Sequence, residues 1–374
     1  MLALFSAGYV NPAFWEKAGR RSFGYAYVFC LASKENAGAK LVYFINPSFL
    51  IFVVLKKRAM LRFVFLLGSL LFFNFGFAQQ PAPRRIVITI DDLPVIAKNR
   101  TLAHQQYVTE GILDALTQKE VPAIGFVNEN KLETGGKVDP QKVALLKKWL
   151  EAGLDLGNHT YAHPDYHRAG PAAFEEDILR GERITKRLLM EFGKELQYFR
   201  HPFLHTGNSE EKKVRLEKFL EQHHYTVAPV TMDNSEWIFA RAYDIALERQ
   251  DTALMKKIGA SYLTYMEDKA IHYERKSRDL FDREIPQILL IHSNTINADY
   301  LAELLAMFEE RSYQFISLAQ ALKDSAYRSK SKYTGRGGIS WLDRWALTQE
   351  KPKTFFAGEP KTPQFIQEVS GITE

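Results

Sequence analysis

The chain has one cysteine among 374 residues, Cys30, and none from residue 79 onward. No disulfide can form inside that cysteine-free body and no thiolate can ligate a metal there, so an ion would have to sit on His, Asp or Glu. The body also lacks a surplus of either charge. Residues 1–78 hold nine Lys/Arg and two Glu, a net of +7, whereas the remainder carries 40 basic against 42 acidic residues, a net of −2. A near-neutral body offers no electrostatic footprint for nucleic acid. No internal repeat is visible, and a composition of 46% apolar and 25% charged residues is ordinary for a globular chain with a large core.

What is present begins with two apolar runs before residue 80. MLRFVFLLGSLLFFNFGFAQQ (60–80) has the form of a signal peptide. Met60 and Arg62 lead it, and Gly76 and Ala78 stand at −3 and −1 of a cleavage before Gln79. Residues 1–59 then read as upstream translation, with Met60 as the start. The rival reading is a membrane anchor built from this run and LVYFINPSFLIFVVL (41–55), but the latter is short for a span and broken by Pro47. Either reading predicts an exported or tethered body, periplasmic or extracellular, touching membrane only through its N-terminal segment.

From residue 84 short apolar segments alternate with helical patterns. Strands are expected at 86–90, 123–127, 154–158, 197–200, 226–230, 288–292 and 314–318. Helices are expected near 102–119, 139–152, 171–193, 209–223, 240–275 and 297–312. This βαβ rhythm predicts an α/β fold with a parallel sheet. Residues 84–325 read as one domain and 326–374 as a tail. Polar residues recur at the C-terminal ends of the expected strands: Asp91 and Asp92, Asn128, His159, Arg200, Asp233 and His292. That edge is where parallel α/β folds build sites, because the following loops converge there.

Two adjacent carboxylates repel unless something offsets their charge. His159 and His163, four apart, share a face if they lie on a helical turn, and with one carboxylate they suit a catalytic metal site with an open position. The other carboxylate is then free to take a proton from water. His201 and His205 have the same spacing, but Pro202 between them makes a helix unfavourable and a structural role is expected. His292 ends a very apolar strand at the site edge, a position suited to proton transfer, and Glu236 could hold it charged. Arg200 could orient a carboxylate.

With these residues assembled, the body resembles the polysaccharide deacetylases of the NodB-homology group, carbohydrate esterase family 4, over about residues 84–325. Five short motifs occur in the family's order. They are Thr89-Ile90-Asp91-Asp92-Leu93, His159-Thr160-Tyr161-Ala162-His163, Arg200-His201-Pro202-Phe203-Leu204, Asp233-Asn234-Ser235-Glu236-Trp237 and Leu290-Ile291-His292. The resemblance implies an irregular (β/α)7 barrel and removal of N-acetyl groups from an acetylated glycan. It implies Asp91 as base, with Asp92, His159 and His163 holding a divalent metal, usually zinc and sometimes cobalt or nickel. It further implies Arg200 pairing with the base, the Phe203 N–H as an oxyanion donor, Leu290 and Trp237 as walls of the acetyl pocket, Glu236 tuning the acid, and His292 as that acid. Leu93 and Leu204 replace two glycines of the family pattern, so the loops there are expected to take another backbone path. Two rival functions follow from the same residues: hydrolysis of an O-acetyl ester or a small amide or imide, or a silent, exported carbohydrate-binding module.

Overall fold

The computed structural model describes residues 83–374, together with the backbone of three strands, β1 (Val28–Leu31), β2 (Lys40–Asn46) and β3 (Phe49–Val54). These three form an antiparallel meander within a unit of their own, residues 1–82. The expected signal segment 60–78 lies outside the described residues. Among the described residues no helix is long and apolar enough to cross a membrane.

The second unit, residues 83–374, holds the site. Its sheet is built from β4 (Arg84–Leu93), β5 (Ile124–Val127), β8 (Asp155–Asn158), β9 (Tyr198–Phe199), β10 (Thr226–Val227), β11 (Gln287–His292) and β12 (Tyr313–Phe315). A two-residue ribbon, β6 (Glu133–Thr134) and β7 (Lys137–Val138), stands apart. The strands run parallel in the order β10-β9-β8-β5-β4-β11, and β12 pairs with the start of β4. The ring then closes. Beyond β10, Met232 bridges to Leu289 of β11, and the N–H groups of Thr231 and Met232 both reach the Ile288 carbonyl at 3.1 Å. The result is an irregular barrel, as the α/β rhythm and the resemblance lead one to expect.

Strand alternation decides what each face carries. On β4, Ile86, Ile88 and Ile90 point outward into the main core beneath the helices, each fully buried. Burial at that level stabilises by about 2 kcal/mol per side chain. Val87, Thr89 and Asp91 point inward. On β11, Leu289 and Ile291 go outward, and Ile288, Leu290 and His292 inward. A small apolar plug of Val87, Ile124, Phe126, Ala228 and Ile288 fills the barrel floor, so the inward residues become polar only toward the C-terminal mouth.

Helices cover the outside. α1 (Leu102–Gln118) and α2 (Pro140–Glu151) start at side-chain caps on Thr101 and Asp139. The stretch expected as one helix over 171–193 is two, α3 (Pro171–Arg180) and α4 (Arg183–Glu191). The break arises because Glu129, buried after β5, accepts the Ile184 and Thr185 N–H groups at 2.8 and 2.7 Å, capping a new helix start. After α5 (Glu210–Gln222), the expected 240–275 helix is likewise split into α6 (Glu236–Glu248) and α7 (Thr252–Phe281), with Gln250 left-handed (φ 56°) and Asp251 capping α7. α8 (Thr295–Glu310) is capped by Asn294. α9 (Leu318–Ala321) precedes the C-terminal segment, which returns across the barrel with α10 (Trp341–Thr348) and α11 (Gln364–Ser370). Leu342, Trp345 and Ile366 are buried in the main core, and Lys276 of α7 pairs with Asp343 at 2.6 Å.

Candidate active site

Neighbouring strand residues face opposite ways, so two adjacent carboxylates should not share a site. Two local features bring them together. The β4–β5 register slips between Ile90 and Leu93, and Asp92 is left-handed (φ 70°). A slip of this kind re-aims a side chain, and Asp tolerates the left-handed region better than most residues. Asp91 stays on the inward face, and Asp92 turns to meet the loop after β8.

That loop carries His159 and His163. The helical-turn geometry expected from their spacing is not what joins them: the segment is non-helical, with Thr160 (φ 68°) and His163 (φ 56°) left-handed. The rings meet edge to face at 4.8 Å. One ligand atom each from Asp92, His159 and His163 lies within 4.8 Å of the others. His159 Nδ1 donates to the Arg200 carbonyl at 2.8 Å, which leaves Nε2 to face the carboxylates. A backbone partner on the far nitrogen is the usual way a metal-binding imidazole is oriented. Burial holds both imidazoles below their ordinary pKa, the neutral ligand form. Burial opposes ionisation of Asp92, but the Lys131 ammonium prevails and keeps it well below the carboxylate range. Lys131 donates at 2.9 Å to Asp92 Oδ1 and to its carbonyl, leaving Oδ2 free. The donor set of one carboxylate and two neutral imidazoles suits a divalent ion. Nothing in the sequence around Lys131 marks it as part of a site; only the fold brings it there.

Asp91 lies 3.7 Å from His159 Nε2 and 3.9 Å from Arg200 Nη1, both through Oδ2. Its Oδ1 is buried with no hydrogen-bond partner among the described residues. Burial pushes the carboxyl up to about 6, against the pull of the Arg200 and His292 charges. Arg200 is fully buried, stacks over Phe126 at 4.8 Å and donates to Thr89 Oγ1 at 2.7 Å, so its placement is dictated by the inward face of the barrel. His292 stands beside Asp91 in the β4–β11 register. Its Nδ1 meets Glu236 Oε2 at 2.8 Å, and Asn294 and Asn297 supply further N–H groups to the other oxygen. Burial, the largest single influence, would lower this imidazole, but the Glu236 hydrogen bond together with the negative charges of Glu236, Asp92 and Asp91 raises its pKa to about 9. The Glu236 carboxylate therefore reaches the histidine.

The residues expected as pocket walls are distributed unevenly. Leu290 is buried beside Leu204 and Val230, and the aromatic packed on that cluster is Trp341 from the C-terminal segment. Trp237 and Phe203 are 49% and 54% exposed. Leu93 has another answer to its missing glycine: it fills the space over Gly125 on β5, where an added Cβ would lie 2.4 Å from it. Leu204, contrary to expectation, keeps the left-handed backbone a glycine would take (φ 54°).

A second group, Asp165, His167 and His205, also clusters. Its rings stack at 3.8 Å and 4°. A ligated ion lies in the plane of each imidazole, and two parallel planes this far apart share no such position. Asp165 instead pairs with His205 Nδ1 at 2.6 Å, and both His167 nitrogens face backbone groups of Gly207 and Arg336. His205 thus plays the structural role its spacing with Pro202 implied.

His201 is buried between Phe199 and Trp341. Burial, with the Arg344 charge next in weight, holds it down at about 3. Its folded pKa lies below the unfolded value, so the unfolded chain binds more protons and stability falls as pH drops from about 6.5 toward 3. Between pH 7 and pH 5 the loss from this group is about 2 kcal/mol. Urea unfolding of His201→Asn should show that much less pH dependence than the wild type; equal slopes in both would refute the assignment.

Comparison with known proteins shows what the chain is similar to. The family described as polysaccharide deacetylase matches residues 78–225. The matched stretch includes Asp91, Asp92, His159, His163, Arg200 and Phe203, and stops short of Glu236, Trp237, Leu290 and His292. A chitooligosaccharide deacetylase from Bradyrhizobium sp. (strain ANU 289) is 30% identical over 28% of this chain and 39% of its own length. A chitin deacetylase from Colletotrichum lindemuthianum is 30% identical over 34% of this chain and 44% of its own. The chain thus spans about two fifths of the length of these curated relatives. Among solved structures, a carbohydrate esterase family 4 pseudoenzyme from Bacillus anthracis is 16% identical, with 65% of this chain and 66% of that chain covered and a TM-score of 0.40.

Proposed function

We propose that this protein is a metal-dependent hydrolase that removes N-acetyl groups from an acetylated carbohydrate such as a chitooligosaccharide or peptidoglycan. The observation that carries the reading is the pairing at the barrel mouth: a buried carboxyl oxygen of Asp91 without a partner, next to a three-residue metal group and across one strand from a charged imidazole. The names of the curated relatives, chitooligosaccharide and chitin deacetylase, support the substrate class.

Asp92, His159 and His163 would hold the ion, which supplies Lewis acidity toward an acyl oxygen and lowers the pKa of nearby water. Zinc suits this donor set, with cobalt or nickel as substitutes. The chain's own groups do the proton work. Asp91 takes a proton as the water oxygen bonds to the acetyl carbon. The Phe203 N–H, which has no intramolecular acceptor among the described residues, donates to the oxygen that becomes negative. His292 gives its proton to the departing nitrogen as the C–N bond breaks, and Glu236 holds the imidazole in the donating state. Arg200 steadies Asp91 from below. Acetate and a free amine are the products. The signal-peptide pattern at 60–78 supports an exported protein.

The test is acetate release by the full chain from a panel of N-acetylated and O-acetylated glycans, with and without a chelator. N-acetyl release that is lost on chelation and restored by added zinc, cobalt or nickel is the expected result. Release that ignores the chelator would overturn the reading. So would sugar binding with no release, which would mark a silent binding module.

A further inference from the structure

The Arg200–Thr206 loop carries the Phe203 N–H, and its backbone is unusual. Phe203 and Leu204 are consecutive left-handed residues without glycine (φ 55° and 54°). Each costs of order 1 kcal/mol or more and persists only where its surroundings over-determine it. What surrounds this loop comes from the far end of the chain.

Residues 338–344 lie directly against it. Gly338 is so close that an added Cβ would fall 1.8 Å from the Phe203 carbonyl oxygen and 3.1 Å from Leu204 Cβ. Arg344, only 2% exposed, donates from Nε to Ile339 O at 2.9 Å, from Nη1 to Thr206 Oγ1 at 2.8 Å and from Nη2 to the Leu204 carbonyl. Its guanidinium lies 4.1 Å from the Trp341 ring and 5.1 Å from that of Tyr333. Among the described residues no carboxylate pairs with it within 4.0 Å; besides Tyr333, the negative group that acts on it is Asp233, from farther off. A buried guanidinium whose acceptors are loop oxygens rather than a carboxylate is costly for stability alone. The Trp341 N–H anchors the segment on Val230 O at 2.7 Å, and Ser340 Oγ on Thr231 O at 2.7 Å. Trp341 itself packs on Leu290, which shares the inward face of β11 with His292 two residues on.

Resting on the deacetylase reading, we propose that the C-terminal segment Gly338–Arg344 is part of the active site, with Arg344 a positioning residue that holds the Phe203 N–H on the reacting oxygen. The glycine missing at position 204 is made good at a distance: Gly338 provides the space for the turned Phe203 carbonyl, and Arg344 ties the next carbonyl in place. The carbonyls of Phe203 and Leu204 are thereby fixed, and with them the two peptide groups that follow Phe203; its N–H lies on the preceding peptide, whose Pro202 carbonyl accepts the His205 N–H at 3.0 Å, and is held through the left-handed Phe203 backbone between them.

A donor moved by about 1 Å loses on the order of 100-fold in rate without losing substrate affinity. Arg344→Lys keeps the charge and loses the fork, and Gly338→Ala pushes on the Phe203 carbonyl. Both should lower kcat about 10- to 100-fold, with KM within about twofold and metal content unchanged. Ile366→Ala, in the buried face of α11 away from this loop, is the stability control: it should lower Tm with kcat unaltered. The proposal is overturned if the Arg344 and Gly338 variants lose activity only in step with folded fraction, as the control does, or if KM rises while kcat holds. Wild-type protein that releases no acetate at all would instead remove the deacetylase reading, and this proposal with it.

Discussion

Asp91→Asn is expected to lower kcat by about 1,000-fold, the middle of the range for removing a general base, while the bound ion stays. The substitution is nearly isosteric, and Asp91 is buried on the inward face of β4 with Oδ1 free of partners. Asn fits the same space and keeps an oxygen facing Arg200 at 3.9 Å, but it cannot take a proton. Asp92, His159 and His163 are untouched, so metal content by elemental analysis should equal that of the wild type. Two results would count against the assignment. Near-normal turnover would mean another group is the base. Loss of the ion would mean that Asp91 Oδ2, 3.7 Å from His159 Nε2, is itself a ligand.

His159→Ala should do the reverse and empty the site. The loss of affinity for a divalent ion is expected to exceed about 100-fold, the upper end seen when only a ligand's hydrogen-bond partner is removed. Activity should vanish with it at ordinary metal concentrations. A structural penalty accompanies this, because the Arg200 carbonyl loses the His159 Nδ1–H in a fully buried setting, at about 1–3 kcal/mol. Titration with zinc followed by competition against a coloured chelator measures the affinity, and urea unfolding of the metal-free proteins measures the penalty. Unchanged zinc affinity would exclude His159 as a ligand and leave the cluster as a packing feature. Wild-type-like stability together with lost zinc would show that the imidazole is there for the ion alone.

The two variants separate roles that adjacent positions conceal. Asp91 and Asp92 are chemically identical in the sequence. The register slip at Ile90–Leu93 and the left-handed Asp92 assign one carboxylate to Arg200 and His292 and the other to Lys131 and the imidazoles. Their opposite titration follows. Burial wins at Asp91, whereas at Asp92 the nearby positive charges, Lys131 foremost, together outweigh it.

Much of this was legible without coordinates. Short segments of four or five residues, several of them almost wholly apolar, marked all seven strands of the barrel sheet; β4 and β11, buried on both faces, are apolar along most of their length for that reason. The strand-end positions of Asp91, His159, Arg200 and His292 followed from that, since polar residues on an inward face are tolerated only at the mouth. What periodicity could not reveal were events decided by distant partners. The helix break before α4 depends on Glu129, 55 residues away from Ile184. Lys131 gives no local signal, and the turn that joins His159 to His163 looks helical by spacing alone. Local pattern determined the strands, the candidate metal-ligating residue types and the order of the motifs, because backbone alternation and side-chain chemistry are set residue by residue. Only the tertiary structure decided which carboxylate faces which cation, and that a C-terminal Gly and Arg brace the Phe203 loop, because both depend on where segments far apart in the chain, from 39 residues for Asp92 and Lys131 to more than a hundred for Phe203 and Arg344, come to rest against each other.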